Sequence, residues 1–381
     1  MASPKSTSST SSPSSALAAK KKTDRASTKS GVLKTPMTKM LGCDYPIIQT
    51  AMGWVATSDL VSASIQAGAF GFLAAAVMTP DECEQEIKAI KAVTDKPFGV
   101  NIHAFQPGAE RIIDTCIDYG IAALSYGRGP SPKIVDRVKA AGLKCIPTIG
   151  ASQHAPKAVA MGADMLVCQG QEGGGHTGNT PTWLLLEQVI DQKLGVPVIA
   201  CGGFKDGRGL AAALAFGADG IAMGTRFMMS EESPVPSATK AAYVNAKVTE
   251  IPVSTKLDGL PQRMVMNDEL RKIENASSVG LLIQAIKNSW LYKSQTGMSL
   301  LESVQTAWKM ASKTELTIGQ TLMASNAPMI IQRAMVEGRP DQGVLPSGQV
   351  AGLIDSLPPC EDIIREIVET AQRQLKLSGA K

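Results

Sequence analysis

Between residues 45 and 224 one phrase recurs along the chain: a short apolar run, a loop, an amphipathic stretch closed by glycine, then the next apolar run. The runs are YPIIQ (45–49), FGFLAAA (70–76), PFGVNI (97–102), IAALSY (121–126), KCIPTI (144–149), DMLVCQ (164–169), PVIACG (197–202) and DGIAMG (219–224), which makes eight. The intervening segments, such as DECEQEIKAIKAV (81–93) and GRGLAAALAFG (207–217), are long enough for a helix. Glycine just past a helix, followed by a strand, is the expected αβ joint. Strands apolar on both faces and alternating with helices imply a parallel sheet. An open doubly wound sheet would carry its glycine fingerprint after the first strand. Here the first run leads into TAMGW, and the glycines gather after runs six, seven and eight. The pattern therefore predicts an α/β chain folded as a (β/α)8 TIM barrel.

Residues 233–340 read as a mostly helical insertion or cap after strand eight, because SATKAAYVNAKV, SVGLLIQAIKNSW and LLESVQTAWKMA space their apolar residues helically. A terminal helix is expected over 361–376. The domain reading is a tail over 1–40, the barrel over 41–232, the insertion over 233–340 and a barrel-completing segment over 341–381.

Charge separates the tail from the body. Residues 1–40 carry eight Lys/Arg against the single acid Asp24, while the rest has 30 basic and 33 acidic residues. The head is rich in Ser, Thr and Ala, so it is expected to be disordered. It lacks the apolar core of a secretory signal, and a cytoplasmic location is expected, with organellar import through the basic tail left open. A mildly acidic body argues against nucleic acid as a partner. No apolar run is long enough to span a bilayer. The seven cysteines show no C-x-x-C spacing, which points to a reducing compartment and away from metal ligation. Oligomeric state is not legible in the pattern.

The candidate chemistry lies at the strand ends. In such a barrel the active site forms at the C-terminal ends of the strands, often with a phosphate site after strands seven and eight. CGGFKDGRG (201–209) and MGTRF (223–227) fall at those two places. Gly202, Gly203 and Gly224 can bare backbone N–H groups, and Thr225 can add a hydroxyl. After strand six, QGQEGGGHTG (169–178) packs five glycines around His176, as though the loop must lie against a flat ligand. Of the three histidines, His154 begins a helix, His103 follows strand three, and His176 is the best candidate base. Gln49 and Asn101, at the ends of strands one and three, are candidate partners for a polar heterocycle.

PIIQTAMGW, PFGVNI, CQGQEGGGHTG, VIACGGFKDGRGLAAALAFGADGIAMGTRF and GQVAGLI (348–354), in that order, resemble the nitronate monooxygenases. The resemblance implies an FMN-dependent barrel. It places cofactor contacts on Asn101, Gln169, Gly174, Gly203 and the run Ala222, Met223, Gly224, Thr225, with Met52 near the flavin and His176 as the catalytic histidine. Two departures stand out. Thr177 occupies a position where the nitronate-oxidising members usually have Arg, and Ala222 replaces a frequent Gln. The Gly-Gly-His element is shared with flavin-dependent enoyl-acyl-carrier-protein reductases.

The expected activity is oxidation of an alkyl nitronate, or a related anionic substrate, to a carbonyl compound and nitrite with O2. The rivals are an NAD(P)H-dependent enoyl-thioester reductase on the same scaffold, a barrel enzyme with a cysteine nucleophile such as Cys201, and a non-catalytic flavin-binding protein.

Overall fold

The computed structural model describes residues 31–127, 129–276 and 327–379. Eight parallel strands close into a barrel: β1 (Ile47–Gln49), β2 (Phe70–Ala74), β3 (Gly99–Ile102), β4 (Ala123–Tyr126), β5 (Lys144–Ile149), β6 (Leu166–Gln169), β8 (Val198–Cys201) and β9 (Gly220–Met223). β1 closes the ring on β9, with Ile47 facing Ile221 and Gln49 facing Met223. Each falls inside one of the eight apolar runs.

Alternation along each strand sorts the two faces. Ile48, Phe70, Phe72, Ala123, Ile146, Val167, Ile199 and Ala222 form a cluster with Met37 and Leu41 from α1 (Pro36–Leu41). Phe70 and Phe72 meet edge to face at 5.2 Å. The opposite faces meet the helices, among them α2 (Ser58–Gln66), α3 (Pro80–Val93), α4 (Ala109–Asp118), α5 (Pro132–Ala140), α6 (Ala155–Ala160), α7 (Thr182–Ile190) and α8 (Gly207–Phe216). Thr79 opens α3 with a capping box to Glu82, satisfying N–H groups that a helix start leaves unpaired.

Two expectations need correction. The tail does not extend to residue 40: Leu33, Met37 and Leu41 are buried, and Thr35 caps α1. Three apolar side chains at near-helical spacing are enough to anchor this short segment. Residues 1–30 lie outside the described region.

Among its described residues, the stretch after strand eight is also not helical throughout. It contains α9 (Thr225–Met228), α10 (Ser237–Val244), α11 (Asp268–Asn275) and α12 (Ala327–Met335), but also β10 (Val253–Ser254) and β11 (Gln262–Val265). The segments 278–290 and 300–311 lie outside the described residues. β11 pairs antiparallel with β7 (Gly175–His176), with β10 and with β12 (Leu345–Pro346). Strands of two to four residues are too short to show a period of two, so helical spacing nearby masks them. This small sheet ties the glycine loop to the C-terminal segment.

The terminal helix α13 (Cys360–Leu377) packs on α8 and α2. Its approach to α8 is close enough that a Cβ on Gly207 would lie 2.6 Å from the Ala371 nitrogen. No described helix is long and apolar enough to cross a membrane.

Candidate active site

A cavity of about 1370 Å3 opens at the C-terminal ends of the barrel strands. Met52, Asn101, Gln169, Gly174, His176, Gly202, Gly203, Ala222, Met223, Gly224 and Thr225 all line it, as do His103 and His154. Gln49 does not. Its amide nitrogen bonds the carbonyls of Thr50 and Phe72, and a Cβ on Gly71 would meet its Oε1 beside Val61 and Ile65 of α2. Strand parity decides this: Gln49 shares a face with Ile47, away from the interior-facing Ile48.

The glycine loop mostly owes its composition to the protein itself. A Cβ on Gly173 would lie 2.7 Å from the Gln169 side chain, and one on Gly174 would lie 2.5 Å from the Gly348 nitrogen. Gly170 and Gly178 are blocked by Thr182 and by the Gly150 carbonyl. Only Gly175 faces open space, and it holds a left-handed φ of +64°. The close approach inferred from sequence is therefore largely loop against loop.

Several polar groups brace this loop. Gln169 donates to the His176 carbonyl at 2.9 Å. The Thr177 hydroxyl donates to the Gly170 carbonyl at 3.0 Å. Glu172 accepts the Thr182 N–H and hydroxyl. Buried Arg263 on β11 donates to the Gln171 and Ile251 carbonyls. Burial lowers its guanidinium pKa, with the Glu172 charge acting in opposition.

Pairing of β7 with β11 places Gln262 opposite His176. It also carries a residue the sequence reading missed. His176 Nε2 lies 2.8 Å from Asp258 Oδ2, and Asp258 accepts further bonds from the Leu260 N–H and the Gln262 amide. Burial pushes the Asp258 carboxyl up; the His176 bond and charge, with the Leu260 and Gln262 bonds, outweigh it and hold the carboxyl below its ordinary range. An ionised carboxylate only accepts, so Nε2 carries a proton and Nδ1 of a neutral imidazole is the basic nitrogen. The Asp258 side chain is 7% exposed and that of His176 59%, so the carboxylate is sealed while the imidazole is reachable.

Across the mouth, Gly202 and Gly203 both hold left-handed φ, at +103° and +82°. A Cβ on Gly224 would lie 3.0 Å from Thr50 Oγ1 and 3.4 Å from Met52 Sδ. A Cβ on Gly202 would meet the Gly173 nitrogen and Thr182 Oγ1 at 3.0 Å, and one on Gly203 the Glu172 side chain at 3.4 Å. These glycines let the strand ends and the glycine loop pack closely while their backbone still lines the cavity, where it could meet a phosphate. Thr225 Oγ1 accepts the Gly348 N–H at 2.9 Å, leaving the hydroxyl proton free to donate. Asn101 gives its amide nitrogen to Ser125, so its carbonyl oxygen is the acceptor left for a ligand. Cys201 lines the cavity, but burial pushes its thiol up to about 12. That keeps it protonated near neutral pH and argues against a cysteine nucleophile.

A barrel with a bare-backbone cradle after its last two strands and a histidine–carboxylate pair over the same mouth defines an enzyme built around a small-molecule site. The family model described as nitronate monooxygenase matches residues 34–115 and 108–370. The chain belongs to the nitronate monooxygenase family, and it is an oxidoreductase of the flavin type.

Within that family, similarity extends to differently named proteins. The chain is 44% identical over 350 residues to a (3aS,4S,5R,7aS)-5-hydroxy-7a-methyl-1-oxo-octahydro-1H-indene-4-carboxyl-CoA dehydrogenase of Mycobacterium tuberculosis, covering 91% of this chain and 99% of the relative. It is 43% identical over 348 residues to the protein of the same name from Rhodococcus jostii, covering 91% and 98%. Among solved structures, FabK from Thermotoga maritima superposes with a TM-score of 0.73 at 31% identity, covering 91% of this chain and 99% of FabK.

Proposed function

We propose that this chain is an FMN-dependent oxidoreductase of acyl thioesters. On this reading it works on the carbons next to the thioester carbonyl of a coenzyme A ester with a bulky acyl group. The observation that carries the reading is the cavity. At about 1370 Å3 it exceeds the roughly 300–1,000 Å3 usual for one small ligand, and one flank is apolar, formed by Met228, Ile331, Met335 and Val350. A flavin with a small nitronate needs no such flank. The near-full-length similarity to two carboxyl-CoA dehydrogenases supports the same class.

FMN would be held with its phosphate against Gly202, Gly203, Gly224 and Thr225, with Ala222 and Met223 contributing backbone. Its ring system would lie near Met52, Asn101, Gln169 and Gly174. Bound there, FMN supplies the two-electron redox chemistry that protein side chains lack. The chain's own residues handle the proton. Nδ1 of His176 takes the proton from the carbon beside the thioester carbonyl, and Asp258 balances the charge on the resulting imidazolium. Gln262 and the Leu260 N–H hold the carboxylate in place.

A second reading, nitronate oxidation with O2, is favoured by the family match. Thr177 weighs against it, because its hydroxyl is turned onto the Gly170 carbonyl and supplies no fixed cation beside His176.

The test is an absorption spectrum of the purified protein followed by anaerobic addition of a saturated bicyclic carboxyl-CoA, of NADPH and of propionate 3-nitronate to separate samples. Loss of the oxidised flavin bands with the CoA ester supports the proposal. Indifference to the ester, with nitrite release from the nitronate in air, moves the assignment to the second reading.

A further inference from the structure

We infer that the end of the cavity over β5 and α6, at His154 and Lys157, receives the phosphorylated adenosine end of coenzyme A. This rests on the thioester reading above and specifies how the carrier is held.

Lys157 is the one Lys or Arg among the described residues that line the cavity. The two carboxylates there are engaged elsewhere, Glu172 with Thr182 and Asp258 with His176. Lys157 makes no ion pair among the described residues, and it is exposed. His154 stands three residues earlier, where side chains share a helical face. An unengaged cation with a histidine beside it suits a phosphate.

Position separates this end from the flavin cradle. β5 is the fifth strand of the ring, whereas the bare glycines follow β8 and β9, the seventh and eighth. A phosphate held at Lys157 is therefore a second anion. Beside it the cavity wall is Gly127, Gly129 and Met161. A Cβ on Gly127 would meet nothing within 4 Å, and one on Gly129 would touch only the Met161 methyl at 3.5 Å. The bare backbone at these two glycines and the Met161 thioether can lie against a flat heterocycle. The apolar flank at Ile331 and Met335 is left for the acyl group. Lys157 follows β5 and the base follows β6, so the cation and the base stand on separate strand ends that a long carrier can bridge.

The experiment titrates the FMN-loaded full-length protein with free CoA, pantetheine and NADP+, following the flavin absorbance change, for wild type, Lys157→Ala and Lys157→Arg. Lys157→Ala is expected to weaken CoA by ~2–5-fold, consistent with loss of one exposed charge contact to phosphate. Lys157→Arg should retain most of the affinity. The penalty should vanish for pantetheine, which lacks the adenosine phosphates. The salt dependence of CoA binding should flatten in Lys157→Ala, a response that a purely structural role would not produce.

Equal CoA affinity in wild type and Lys157→Ala, or equal loss for CoA and pantetheine, would overturn the subsite alone. A Lys157 effect confined to NADP+ would also overturn it, by giving the subsite to a dinucleotide. Failure of the wild type to bind either CoA or pantetheine would remove the thioester reading itself.

Discussion

Nε2 of His176 lies 2.8 Å from Oδ2 of Asp258, a carboxylate 82 residues further along the chain. The antiparallel pairing of Gly175–His176 with Gln262–Arg263 brings the two together. A sealed acceptor beside a reachable imidazole fixes both the tautomer and the direction in which the free nitrogen points. Asp258→Asn keeps the size but permits the opposite tautomer. Turnover is expected to fall by roughly 10²–10⁴-fold, with FMN content unchanged. Steady-state kinetics on flavin-normalised protein checks this, and a variant with wild-type kcat and pH profile would show that Asp258 is scaffolding only.

The same pair links stability to pH. The Asp258 carboxyl is held below its ordinary value in the folded protein. A depressed carboxyl contributes stability that is fully present above the unfolded pKa of about 3.9 and is lost as pH falls through the lower, folded value. In His176→Ala the burial effect goes unopposed by the imidazole. The variant's deficit in Tm relative to wild type should therefore be present above about pH 4 and shrink as pH falls below it. Thermal unfolding across that range tests the sign; a deficit that grew toward acid would contradict it.

Thr225 joins the proposed phosphate cradle to the C-terminal segment by accepting the Gly348 N–H. Thr225→Val keeps the shape but leaves that buried donor without its partner, at a cost of about 1–3 kcal/mol. It also removes a hydroxyl from the proposed phosphate site. Both Tm and FMN retention should fall, whereas Thr225→Ser should preserve most of each. Unchanged FMN affinity in Thr225→Val would mean that the hydroxyl does not face the cofactor.

Cys201 ends β8 at the cavity floor with its thiol raised to about 12 by burial. Alkylation of wild type with iodoacetamide at pH 8 should leave Cys201 unmodified, and Cys201→Ala should retain turnover within a few-fold. Mass spectrometry and kinetics provide the check. Loss of all activity in Cys201→Ala with FMN still bound would revive a nucleophilic role.

The barrel was legible because its strands are buried on both faces and so read as unbroken apolar runs, several of them preceded by a helix closed on glycine. The cavity-lining positions Gly202, Gly203, Gly224 and Thr225 were legible for a related reason, since they stand at two neighbouring strand ends where such a barrel opens its mouth. Asp258 was not. It sits in STKLDGLPQ, a polar turn with no period, and nothing local ties it to a histidine 82 residues earlier. The strands that bring the pair together are too short to carry alternation. Gln49 misled because the end of a strand suggests the mouth, while the parity of that strand turns the side chain toward α2.

The glycine loop offers the sharpest contrast between two neighbouring positions. At Gly174 an added Cβ would lie 2.5 Å from the Gly348 nitrogen and 2.5 Å from the Ser347 carbonyl carbon. Backbone on the far side cannot rotate away as a side chain could, so Gly174→Ala must spread the glycine loop from the Ser347–Gly348 segment. That segment also supplies the N–H held by Thr225, so the displacement reaches the proposed phosphate cradle. Overpacking of this kind costs about 1–3 kcal/mol, and FMN retention should fall with it. Gly175 has nothing within 4 Å but a φ of +64°. Gly175→Ala should cost only the left-handed penalty of about 1–2 kcal/mol and leave the cradle intact. FMN retention therefore separates the two variants better than Tm does. If Gly175→Ala sheds the cofactor as readily as Gly174→Ala, the bare backbone at Gly175 faces the ligand after all, and the loop's glycines serve the flavin more than the protein's own packing.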